Sequence, residues 1–185
     1  MNKKYKLDYE LRDEPRPNGR TRLAAVYTGA HWSYHLEPRQ YRALRVLLLG
    51  TLCLMSAAYV AMGLLRTGSM GFGGPAAPYV LLPYAALLLP LGMCWGKTLA
   101  MPAVQRPLER REYEQGVRGR RGWSTALLVC AAAAFLGGGM YALLHRGTAT
   151  AAHDLLFLLL TAALGALDWF FIRVQDRYPC TKEEK

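Results

Sequence analysis

Four apolar runs, at about 46–65, 79–103, 123–144 and 155–172, constrain this 185-residue chain more than any other feature. A helix needs about 20 apolar residues to cross a hydrocarbon core about 30 Å thick, and each run meets or approaches that length. In hydrocarbon a backbone must satisfy its own polar groups, which leaves a helix or a closed barrel, and the lengths fit helices. The mean hydropathy of +0.06 and the 19% of charged residues suit a soluble domain only because they average over segregated segments.

That segregation predicts orientation. Of the 23 Lys and Arg, ten fall in 1–45, six in 104–122 and four from Arg173 onward; Arg66 and Arg146 alone occupy the other two gaps, and Lys97 lies inside the second run. Cationic residues near span ends stay in the cytoplasm, so the N-terminus, the middle loop and the C-terminus are expected there. Trp95, Trp123 and Trp169 then fall at inner span ends, and Tyr79 and Tyr141 near outer ones, where aromatic belts form. The expectation is an all-α membrane protein, a four-transmembrane-helix bundle with both termini cytoplasmic, in the cell membrane. Its formal net charge of +10 suits an anionic inner leaflet rather than nucleic acid. Polar and mixed residues precede the first span for 45 positions, too many for a cleaved leader.

Residues 1–43 form the predicted N-terminal segment, 44–174 the bundle and 175–185 a tail. Tyr5, Leu7, Tyr9 and Leu11 alternate with charged residues, Asn18-Gly19 suits a tight turn, and Thr21 to Tyr27 can return as a second strand, which together predict a cytoplasmic β-hairpin. Two strands alone are marginal in water, so the hairpin should pack on the bundle, a second copy or a partner. Residues from Glu37 predict a helical turn leading into the first span. In the middle loop, 107–115 reads as a short charged helix ending before Gly116.

The spans offer few chemical groups. Asp168 is the sharpest, since an acid within a span costs about 3 kcal/mol at mid-membrane and is usually functional. Counted from the end of its apolar run it lies one turn in, level with Lys97, which predicts an ion pair between the two, separate reach to the surface, or a coupling site. Pro83 and Pro90, seven residues apart, predict a kink in the second span. Cys53, Cys94 and Cys130 project to the inner half, and small residues such as Gly92 and Gly96 suit close helix packing. His153 and Asp154 read as exposed loop residues. At an offset of 74 residues, Leu81-Leu82 with Trp95 align with Leu155-Leu156 and Trp169, a weak internal repeat.

No catalytic constellation, cofactor motif or metal-ligand cluster is legible. The sequence therefore predicts a non-enzymatic accessory or scaffold subunit of a membrane complex, with a protein partner or second copy bound through small-residue helix faces and the hairpin. The alternative is a small dimeric proton- or ion-coupled transporter using Asp168.

Overall fold

A computed structural model describes residues 8–15, 21–72, 75–145 and 149–182, and backbone alone within 11–15 and 21–24. The Asn18-Gly19 turn and Arg146 lie outside the described residues. The chain runs β1 (Tyr9–Pro15), β2 (Thr21–Tyr27), β3 (His31–Tyr34), α1 (Pro38–Leu64), α2 (Pro78–Ala86), α3 (Leu88–Leu99), β4 (Leu108–Glu109), the single turn α4 (Arg110–Glu112), a π-type turn (Tyr113–Arg118), α5 (Gly119–Leu144), α6 (Ala151–Arg177) and β5 (Cys180–Lys182).

Four helical stretches, Pro38–Leu64, Pro78–Leu99, Arg110–Leu144 and Ala151–Arg177, are long and apolar enough to cross a membrane. They are apolar on nearly all sides: Val46, Leu54, Leu64, Leu89, Leu136 and Leu159 stay exposed while a narrower stripe is buried. In water such faces would have to be covered; in lipid they are solvated. This is the build of a multi-pass membrane protein. The helices close a ring in which α1 packs on α6, α6 on α5, α5 on α2 and α3, and α3 on α1.

The buried positions follow a spacing near 3.5. On α6 they are Asp154, Phe157, Thr161, Leu164, Asp168, Phe171 and Val174; on α5 they are Arg120, Ser124, Leu127, Ala131, Ala134 and Gly138. Steps of three and four keep one seam against a neighbour, as in left-handed bundles, and the small residues of α5 let α6 approach. At Gly92 and Gly96, by contrast, a Cβ would meet nothing within 4 Å among the described residues.

The second span is broken at Leu87. Pro83 has no N–H for the Tyr79 carbonyl and Pro90 none for that of Ala86, so two rungs of the ladder are missing on either side of this residue. The Leu87 N–H is shared between the carbonyls of Pro83 and Tyr84, both at 3.2 Å. Gly137 on α5 fits against the first turn of α2, and a Cβ there would sit 2.5 Å from the Tyr79 oxygen. The corresponding helix of the second half, α6, is unbroken, so the two halves differ here.

Three helices overrun their apolar sequences at one end of the bundle. α1 starts at Pro38, the third stretch at Arg110, and α6 continues to Arg177. Glu109 and Glu112 set the start of α4, the Glu112 carboxylate accepting the Glu109 N–H at 3.2 Å. The chain then passes Gly116 without a break, through the π-type turn into α5. The short isolated helix expected for 107–115 is thus the first turns of one long helix.

Candidate functional site

At this end the chain builds a cap from all three of its basic segments. β1 and β2 form an antiparallel ribbon in the register Tyr9 with Tyr27 and Pro15 with Thr21. β3 is the centre of a second, three-stranded sheet, pairing antiparallel with β4 on one side and β5 on the other. Residues 31–34 precede the first helix, and their backbone groups are taken up by the middle loop and by the tail.

Aromatic and acidic side chains fasten the ribbon to this sheet. The Tyr9 hydroxyl donates to Glu109 Oε2, and the Tyr27 hydroxyl donates to the Ala30 carbonyl at 2.8 Å while accepting the Arg110 N–H at 3.0 Å. The Tyr27 ring meets Tyr9 and His31 edge-on, at 5.2 and 5.1 Å. Bonding to the Glu109 carboxylate, then desolvation, pushes the Tyr9 phenol up to about 12, because ionising it would forfeit that donor and set two anions side by side. Below the sheet, Trp32 stacks on Tyr113 at 5.0 Å, and the Tyr41 hydroxyl donates to the Pro102 carbonyl at 2.9 Å.

Beneath the cap lies Arg120, on the inward stripe of α5 and only 2% exposed. Its Nε donates to Gln175 Oε1 at 3.0 Å and its Nη1 to the Met101 sulfur. Among the described residues no carboxylate lies within ion-pair distance of it. Tyr34, 4% exposed, is next to this guanidinium, and its buried hydroxyl proton has no acceptor among the described residues. Burial raises the Tyr34 phenol above its ordinary value, so it stays a neutral hydroxyl through the physiological range. Both groups line a cavity of about 410 Å³ between the start of α5, the end of α6 and β5, with Arg118, Arg121, Gln175 and Asp176 among its other walls.

One turn further into the bundle, Ser124 donates to Asp168 Oδ1. Asp168 is 0% exposed, and its Oδ2 is buried with no partner among the described residues. Asp168 therefore neither pairs with Lys97 nor reaches the surface. Because α6 runs on to Arg177, nine residues beyond, Asp168 lies about 14 Å from the helix end at 1.5 Å per residue. Lys97 instead runs beside Gly119 and lines a separate cavity with Glu112 and Gln115. It is removed from Asp168 because the two occupy different helix faces, a point that equal depth does not decide.

The other sequence candidates separate. Cys94 is buried and Cys53 exposed, so the cysteines do not converge; all four are free thiols. Trp95 points across the bundle, its Nε1 donating to Ser56 Oγ at 2.9 Å, whereas Trp169 is exposed with the Arg173 guanidinium over its ring at 4.9 Å. At the far end Asp154 is buried rather than exposed, accepting the Ser69 N–H at 3.3 Å and the Ser69 hydroxyl at 3.1 Å. This contact ties the first connecting loop to the start of α6.

Arg120 is the functional candidate that sequence reading passed over, since it sits in a run of cations that topology already explains. The signal was available: Arg120, Ser124, Leu127 and Ala131 step by four, three and four, in phase with the buried seam. Compared with known proteins, the chain matches no family model, no curated protein and no solved structure.

Proposed function

We propose that this chain is a non-enzymatic accessory or scaffold subunit of a complex in the cell membrane, with both termini and the cap in the cytoplasm. The observation that carries the reading is the three-stranded sheet, which joins residues 31–34, 108–109 and 180–182 at one end of the bundle. The basic stretches to which these strands belong, 1–45, 104–122 and 173–185, hold most of the chain's Lys and Arg, and cationic flanks are retained in the cytoplasm, so the union of all three supports that side. Here β1 and β2 pair only with each other among the described strands. Their outer edges leave backbone donors and acceptors for a strand of a partner protein.

The test is the composition of the particle released by mild detergents. The full chain should elute with a stoichiometric companion, and a variant lacking residues 9–27 should lose it while keeping its own helical content. Elution alone and monodisperse in several detergents would remove the reading.

A second reading, a small dimeric proton- or ion-coupled transporter, is favoured by one observation: Asp168 is wholly buried among the helices with one oxygen unpartnered. Acids in such positions commonly serve ion pathways. Replacing Asp168 with Asn should then abolish coupled flux in proteoliposomes, and undiminished flux would exclude it.

A further inference from the structure

We propose that the cavity beneath the cap is a binding site for a phosphate group, held by Arg120 and Tyr34 with Arg118 at its mouth. Three guanidinium groups line the cavity against one carboxylate, that of Asp176, which Arg121 already engages at 3.1 Å. Arg120 is the decisive member. A buried cation normally has an anionic partner, because desolvating it without one costs several kcal/mol, yet its partners here are a neutral amide and a thioether. The Tyr34 hydroxyl is a second buried donor without an acceptor among the described residues, and it lines the same cavity. A phosphate supplies what both lack: negative charge for the guanidinium fork and oxygens for the hydroxyl.

Size and position agree. The cavity, about 410 Å³, falls within the range of small-molecule pockets. Its α6 wall begins at Gln175, seven residues beyond Asp168, or about 10 Å nearer the helix end. That is the level of lipid headgroups, so the phosphate can arrive on a lipid or free from the aqueous phase.

Binding is measured on the full chain in phosphatidylcholine nanodiscs at constant ionic strength. One arm titrates inorganic phosphate and follows thermal unfolding; the other incorporates phosphatidic acid and counts lipid retained by native mass spectrometry. Saturable stabilisation in the first arm identifies a free phosphate, and stoichiometric retention in the second a lipid headgroup; either supports the site. Tyr34→Phe should weaken whichever binding is seen by about ten- to hundredfold, the worth of one hydrogen bond to a charged group, with little effect on intrinsic stability, because the hydroxyl proton has no acceptor among the described residues. Arg120→Gln should abolish binding. Should that variant not fold, Tyr34→Phe decides alone. No saturable binding in either arm, or unchanged binding in Tyr34→Phe, overturns the proposal.

Discussion

Replacing Ser124 with Ala should destabilise the bundle more than replacing the acid it serves. The Ser124 hydroxyl is the one hydrogen-bond donor to Asp168 among the described residues, and Asp168 is entirely buried. Its removal leaves both carboxyl oxygens unpartnered in the helix seam. A buried hydrogen bond contributes about 0.5–1.5 kcal/mol and an orphaned buried polar group costs about 1–3 kcal/mol, so a loss of about 2 kcal/mol is expected. Asp168→Val removes the need for a donor altogether. The hydroxyl of Ser124 can then turn to the carbonyl four residues back, as Thr125 does to Arg121 at 3.1 Å and Thr161 to Phe157 at 2.8 Å. Asp168→Val should cost under about 1 kcal/mol, and adding Ser124→Ala to it should cost almost nothing further, which gives a coupling of about 1–2 kcal/mol between the positions. Reversible unfolding in mixed micelles, titrated with a denaturing detergent, measures all three variants. If Ser124→Ala falls within about 0.5 kcal/mol of the parent, or if Asp168→Val is the more damaging, the reasoning is wrong.

Gly137→Ala should destabilise by about 1–3 kcal/mol, since the new Cβ meets a backbone oxygen at 2.5 Å and α2 must retreat from α5; the same micelle titration reports it, and a neutral result would refute the close approach. Alkaline titration followed by phenolate absorbance should show Tyr9 ionising near pH 12, later than an ordinary tyrosine at 10. The sign follows: a phenol raised in the folded state lends stability fully below pH 10 and loses it as pH rises through 12. Tyr9→Phe should remove one phenolate's amplitude from the late part of the curve, and an unchanged titration curve would refute the Glu109 contact.

The helices and their number were legible because apolar length is a local property; their inward faces were not, because the helices are apolar on nearly all sides. The cap was not, because Leu108-Glu109 and Cys180 to Lys182 are too short to carry a strand signal and acquire one only by meeting His31 to Tyr34 across more than 70 residues. Asp168 could be ranked by its rarity in a span, yet its partner could not, since depth was used where helix phase was needed. Arg120 shows the reverse difficulty: one residue satisfies a topology rule and a burial pattern together, and the first reading concealed the second.

The three-stranded sheet also bears on how the chain is made. Its outer strands emerge from synthesis on either side of two more membrane crossings, so pairing can finish only after the fourth helix has inserted. A polypeptide that skips a crossing leaves one strand stranded across the bilayer from its mates. Closure of this small sheet is thus a late event in the making of the chain.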